Sequence, residues 1–462
     1  MTFNASGYPL TGTQALGTPE AQQTTYVRNV PNLPYSNLVS RATDALNRNT
    51  DLTYDTLANV LSVTRYLGAA PITTTYTYEP TFNRVATIQD PLGHTTTFTY
   101  EASGARNLQS ISDPLSHQTS FTYDPQGQPL TITTPAGTTQ LGYTLGDLTA
   151  ITDPLGKTTT RFTDPGGRLI SVTSPLGHRT RYEWDPLNQL TKTINPLNGA
   201  TQLTYDPNGN LTGVRDAKNN LTQYAPDSMD RVLSRTDALA HTASVLLYDE
   251  NGNPRQVRDR KGQVTQTTFD PINRPKVVTW ADASTTTLTW DAGNRLTQLV
   301  DTISGTITRS WDDLDRLSYE QTPQGRIDYT YDTAGRRQTM TVLGQPSVVY
   351  NWDNADRLLS LTQGSAVVLL GYDDANRRTS VTFPNGILAT YAYNARDLIG
   401  ITFTKGAATL GTLTYTTDAD GRRTLVGGTW ARVTLPPALT TTIYNANNQQ
   451  TKFGTKTLTY DL

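Results

Sequence analysis

Aromatic-acid pairs recur along this chain, among them Tyr54-Asp55, Tyr123-Asp124, Tyr205-Asp206, Tyr248-Asp249, Tyr331-Asp332 and Tyr372-Asp373. A carboxylate beside a phenol has the parts of a general acid–base pair. Four histidines, His94, His117, His178 and His241, close the stretches PLGH, PLSH, PLGH and ALAH. Imidazoles at repeated positions could ligate a metal or move protons. Asp418-Ala419-Asp420-Gly421 starts like a calcium loop, and Asp312-Asp313-Leu314-Asp315 concentrates carboxylates. Carboxylate pairs across a folded sheet are the equipment of glycoside hydrolysis.

Each of these features also has a plainer reading. Lys157 takes the histidine slot in PLGK, so that slot asks only for a polar residue after a turn. Metal ligands must converge from few positions, and the four histidines are spread over well-separated units. No Glu closes the Asp418 stretch at the twelfth position, and its phase matches a repeated turn with Thr417 ahead of it. The chain holds no phosphate loop, no G-x-S-x-G and no H-E-x-x-H. It has no cysteine, which excludes disulfides, zinc-thiolate sites and thiol nucleophiles. No catalytic, cofactor or metal residue is therefore assigned. A pair used many times is better read as scaffolding than as one active centre.

The elements that carry the pairs form a ladder. It runs Tyr54, Tyr78, Tyr100, Tyr123, Tyr143, Thr163, Trp184, Tyr205, Pro226 and Tyr248, then Phe269, Trp290, Trp311, Tyr331, Trp352, Tyr372, Tyr393, Thr417, Tyr444 and Tyr460. Seventeen of these twenty positions are aromatic, and Asp follows at fifteen. Between Tyr143 and Tyr393 every spacing is 20, 21 or 22 residues. Such a period marks a repeat array.

Each unit reads as two strands and two turns. In TTTFTYE (95–101) Phe98 and Tyr100 share one face and Thr97 and Thr99 the other. The Asp after the aromatic opens a tight turn, its carboxylate placed to accept backbone N–H bonds. Three residues on stands a Gly, Asn or Asp, such as Gly127, Asn188, Asp230, Asn376 or Asp397. These types tolerate the left-handed backbone of a bulged hairpin turn. An Arg often follows, as at Arg168, Arg231, Arg274, Arg316, Arg336, Arg357 and Arg377. The outgoing strand, as in RLISVTS (168–174), ends in a second turn of the DPLG kind. Its Leu and Val fall on opposite parities, leaving open whether a bulge returns them to one side.

The chain has 462 residues, of which 35% are hydrophobic, with abundant Thr and with Tyr (24) far above Phe (9). This composition favours strands over helices. Twenty two-stranded units make about 40 strands, which at ~4.8 Å spacing would run ~190 Å. Open sheets of that size curl or split. The expected fold is all-β: a long antiparallel hairpin array spiralling into a hollow tube or shell, each hairpin stable only against its neighbours. Three segments are expected, a partly irregular 1–40, repeats over 41–424, and an irregular loop with last, unfinished repeats over 425–462. The net charge of −2 leaves no basic surplus for nucleic acid. MTFNASGYPL lacks the pattern of a signal peptide, and no stretch approaches 18 apolar residues, so no membrane span is expected.

The unit Y-D-x-x-G-R-L, followed by S-V-T-D-P-L-G and T-T-x-Y-x-Y-D, resembles the RHS, or YD-repeat, family. TTYTYEPTFNRVATIQDPLGHTTTFTYE (74–101) and RIDYTYDTAGRRQTM (326–340) carry the resemblance most clearly. It implies a hollow β-shell that encloses a toxic C-terminal segment in bacterial members and recurs in insecticidal toxin complexes and animal teneurins. Full-length bacterial members end in a plug segment, which nothing here matches, so no autoproteolytic residue is carried over. The chain stops at TLTYDL (457–462) inside a unit. It is therefore expected to be a partial wall of a secreted or cell-surface bacterial system. Its expected partners are an enclosed or adjacent toxin or effector polypeptide and the remaining part of the shell, with no cofactor. Two alternatives stand beside this reading. One is a surface module whose aromatic stripe binds cell-envelope glycan or a partner cell. The other is a remnant without independent function.

Overall fold

The computed structural model describes residues 1–28, 37–102, 106–431 and 441–460. Its described residues form strands and turns with no helix. Forty strands, from Thr2–Phe3 to Arg423–Gly427, make one sheet. Each pairs antiparallel with its neighbours in sequence, as Gln118–Tyr123 does with Pro129–Thr134 and Pro129–Thr134 with Gly137–Thr144. Among the described residues the first and last strands do not pair, so the sheet stays open rather than closing as a barrel. A separate three-stranded sheet follows at Thr442–Tyr444, Gln450–Phe453 and Lys456–Thr457. Strands Pro9–Gln14 and Gln22–Val27 already belong to the long sheet.

The hairpin explains how the apolar residues share a face. Thr122 pairs with Thr131 and Tyr123 with Pro129, so Leu130 is an extra, bulged residue. The same step occurs between Thr204 and Tyr205, which pair with Gly213 and Leu211. Thr212 is skipped, and Leu203 faces Val214. Leu211 and Val214 differ in parity, yet the bulge puts both beside Tyr205 and Leu203. The parity question left open by the sequence is thus answered by a bulge in nearly every unit. The other face carries hydroxyl pairs, Thr53–Ser62 at 2.6 Å, Thr77–Thr87 at 2.6 Å and Thr330–Thr339 at 2.7 Å. Cross-strand hydroxyl bonds of this kind account for much of the threonine.

The sheet is a single layer. Its accessible surface is 27025 Å², where a compact monomer of its mass would expose about 17,000 Å². Val381 and Ala389 are the only buried apolar residues among those described. Stability is spread along the ladder rather than gathered in a core.

The layer also coils. The Arg48 guanidinium reaches Asp315 at 2.5 Å, and the Gly68 N–H donates to Asp313 at 2.8 Å. Arg396 meets Asp153 at 2.7 Å, and His178 lies 2.8 Å from Asp420. Gln22 donates to Asn294 at 2.7 Å. These partners stand 242 to 272 residues apart in sequence. One coil therefore takes roughly twelve repeats, and the second coil lies with its aromatic-Asp turns against the DPLG-type turns of the first.

Candidate functional site

Tyr123-Asp124 shows what the repeated pair does. The Asp124 N–H donates to the Gln128 carbonyl at 2.9 Å, and the Gly127 N–H to the Asp124 carbonyl at 3.0 Å. One oxygen of the Asp124 carboxylate accepts from the Gln126 and Gln128 amides, at 2.9 and 2.8 Å. Gly127 has φ 85°, the left-handed conformation that the turn needs and Gly meets without strain. The Tyr123 hydroxyl donates to the Leu108 carbonyl, 15 residues back, at 2.9 Å. Burial, with a smaller contribution from the Glu101 charge, pushes this phenol above its usual range. It remains a neutral donor, with its proton engaged and its carboxylate neighbour occupied.

The same bond repeats along the wall. Tyr54, Tyr78, Tyr100, Tyr205, Tyr248, Tyr331, Tyr372 and Tyr393 donate through their hydroxyls to a carbonyl of the preceding hairpin. Trp184, Trp290, Trp311 and Trp352 do so through the indole nitrogen. The accepting residue stands beside the bulge, where the ladder leaves a carbonyl to satisfy. Tyr460 donates to the Gln450 carbonyl in the last sheet, while Tyr444 is half exposed under Lys218. Among the described residues Tyr143 makes no such bond, and Phe269 has no donor. The preference for Tyr and Trp over Phe at the ladder positions was the sequence signal for this bond, and sequence reasoning missed it.

Arginine extends the lock. Arg336 binds the Asp332 carboxylate at 2.7 Å, then reaches the Asp353 carbonyl at 2.7 Å and Asp356 at 2.9 Å in the next unit. Arg274, Arg295 and Arg357 repeat the pattern. The guanidinium also covers the next aromatic ring, as Arg231 covers Tyr248 at 4.1 Å and Arg316 covers Tyr331 at 4.7 Å. Charge-assisted bonds and ring faces thus tie hairpin to hairpin.

His94 and His117 occupy the same geometry at the opposite turn. Asp90 accepts from the Leu92 and His94 amides at 2.9 and 2.7 Å, and His94 Nδ1 lies 3.0 Å from its second oxygen. His117 stands 2.9 Å from Asp113 in the same way. Asn210 and Asn220 fill this place in other units. Where both words occur, the two turns of a hairpin are one five-residue motif, a kinship that the differing words Y-D-x-x-G-R and D-P-L-G-H concealed. No three carboxylates or imidazoles gather as metal ligands among the described residues. Asp418 caps its own turn, whereas Asp420 points across to the first coil. One expected detail fails. Asp397 is absent from the positive-φ residues, because the Asn394–Asp397 turn closes one residue earlier.

A polar cavity of about 420 Å³ lies where the last sheet meets the first coil, lined by Asp216, Arg235, Asp237, Arg260, Asn447 and Asn448 among others. Asn447 donates to Asp237 at 2.8 Å and Asn448 to Asp216 at 3.1 Å. Burial works to raise Asp216, but the Asn220 side chain and amide, the Asn448 side chain and the Lys218 amide outweigh it, bringing the carboxyl down to about 2. Asp216, Asp237, Asn447 and Asn448 are thus occupied in joining the last sheet to the first coil.

Residues 106–139, 164–200 and 205–242 match the family model described as RHS Repeat. Over these segments the chain carries RHS repeats, which with its fold support an RHS/YD-repeat protein. No curated protein sequence matches it. Among solved structures it resembles TcdB2-TccC3 without its hypervariable C-terminal region, at TM-score 0.71 and 13% identity, covering 94% of this chain and 28% of that one. TcdB2-TccC3-TEV gives TM-score 0.70 at 13% identity, with 87% and 26% covered. A Tc holotoxin pore of Photorhabdus luminescens gives TM-score 0.51 at 14% identity, with 88% and 26% covered. At these identities the likeness is one of fold, and the chain spans about a quarter of the length of the chains it matches. No helix among the described residues is long and apolar enough to cross a membrane.

Proposed function

We propose that this chain is a non-enzymatic wall segment that encloses or presents another polypeptide, a toxin or effector, together with the remaining part of a larger shell. The supporting observation is the single-layered sheet that coils and zips onto itself through its turns. Such a wall separates two volumes sterically and needs no reactive group. Its partners would be the cargo and further shell or toxin-complex components, in a secreted or cell-surface bacterial system. Co-expression with a protease-sensitive cargo tests the reading. Digestion of the cargo should slow markedly in the presence of the wall, and digestion at the same rate with and without it would sink the idea.

Glycan binding is the second reading. The ladder aromatics are tied by their tips and capped by arginine, so this reading rests on rings outside the packed ladder, such as Trp280 at 47% exposure. Retention on cell-wall polysaccharide that is lost in Trp280→Ala would favour it over the container.

A further inference from the structure

Two exceptions in the repeat meet in space. Among the five-residue turns of the first coil's DPLG row, Ser174-Pro175-Leu176-Gly177-His178 has Ser where its neighbours have Asp or Asn. Among the aromatic-Asp turns, only Asp418–Arg422 has a carboxylate in third place, Asp420. Elsewhere on the second coil that place holds Gly293, Leu314, Ala334, Ala355, Ala375 or Arg396, none of them a carboxylate.

In the Asp44, Asp90, Asp113 and Asp216 turns of the row, the first carboxylate accepts the third residue's amide and also bonds the fifth side chain. Asp113 takes the Leu115 amide at 2.9 Å and stands 2.9 Å from His117 Nδ1. At Ser174 the hydroxyl is too short to do this, and it accepts only the His178 amide at 3.3 Å. Asp420 supplies the missing bonds from the other coil. Its oxygens accept the Leu176 amide at 3.0 Å and the Ser174 hydroxyl at 3.0 Å, and lie 2.8 Å from His178 Nδ1. The Asp420 side chain is 13% exposed, with Arg422 3.5 Å away on its own turn.

We propose that Asp420 is a register lock: a carboxylate of the second coil completes a first-coil turn that lacks its own, and so fixes which turn faces which across the seam. A one-unit slip of the second coil would carry Asp420 to Asp153 or Asn195, turns that already hold their own acceptor. There it would meet a like charge or nothing to cap. A polar residue that is satisfied in only one register discriminates against the others at little cost to the hairpins themselves.

The test follows amide exchange at Leu176 in the full chain, with unfolding by denaturant as the second readout. Asp420→Ala should speed Leu176 exchange about tenfold, the loss of one charge-assisted bond. The third-residue amide in the Asp113 turn, Leu115, should be unchanged. Ser174→Asp combined with Asp420→Ala should restore Leu176 protection, because the turn then caps itself and the second coil carries the Ala normal at that place. Ser174→Asp alone should be less stable than either, with two carboxylates at one cap. Unchanged Leu176 exchange in Asp420→Ala would overturn the lock. So would a double variant no better protected than the single one. If Asp420→Ala fails to fold, recovery of folding by the double variant supports the lock, and continued failure overturns it.

Discussion

The two coils use one hairpin and finish it differently. On the first coil the turns opposite the aromatic-Asp turns read DALN (44–47), DPLG (90–93), DPLS (113–116), DPLG (153–156), SPLG (174–177), NPLN (195–198) and DALA (237–240), with Lys218 as an exception in third place. On the second coil the equivalent third places hold Asp282, Ile303, Gln324 and Asn385. The first row lies under the second coil, where Leu46 packs so closely on Gly293 that an added Cβ would sit 2.6 Å from its Cδ1. The facing row is small at Gly293, Ala334, Ala355 and Ala375, whereas Leu314 and Arg396 are the larger residues in it. Where no coil faces the aromatic-Asp turns, large apolar residues stand open in the third place of several, with Leu57, Leu187 and Met229 61, 71 and 67% exposed. The strand pattern is shared, and the turn tip records what lies beyond it.

Acid should break both coils most severely. The carboxyls of Asp164, Asp206, Asp216, Asp227, Asp249, Asp353, Asp373 and Asp418 are all held below their ordinary value. A depressed folded pKa contributes stability that is fully present above the unfolded value of about 3.9. That contribution is lost as pH falls through the folded value, about 2 for Asp216. Denaturant midpoints should therefore hold steady down to about pH 5 and fall steeply below pH 4, a profile that circular dichroism reads directly.

Single turns come next. Asp353→Ala removes the cap and the partner of Arg357, where the two side chains are only 10% and 16% exposed. Breaking a buried pair costs about 3 kcal/mol, seen as a lower urea midpoint. Asp124→Ala, in a first-coil turn without an arginine, should cost about 1 kcal/mol. Equal losses would show that the arginine chain adds nothing.

Ring tips give a smaller effect of both signs. Tyr123→Phe leaves the Leu108 carbonyl without its 2.9 Å donor and should destabilise by about 1 kcal/mol. Phe269→Tyr supplies the missing donor and should stabilise by up to about 1 kcal/mol, both measured by equilibrium unfolding. The smallest change is His117→Asn, which copies Asn220. It should shift stability by less than about 0.5 kcal/mol, and a larger loss would give the imidazole a role beyond closing its turn.

Much of this was legible in the residues. The alternation of Phe98 and Tyr100 with threonine gave strands, Asp124 with Gly127 gave the turn, and the count of repeats gave about 40 strands. The histidine slot was readable because Lys157 shares it. The bulge was not, since Thr204-Tyr205 and Leu211-Thr212 carry no residue type that demands one. The ring-to-carbonyl bond was half visible, in the scarcity of Phe.

What the sequence determined by itself is local: a period, a face and a turn, each set by residues within about twenty positions of one another. The coil's pitch, the seam and the pairing of Asp420 with Ser174 were decided only by the tertiary structure. They depend on a small twist summed over some two dozen strands, and no window of sequence contains both partners of a contact made across 250 residues.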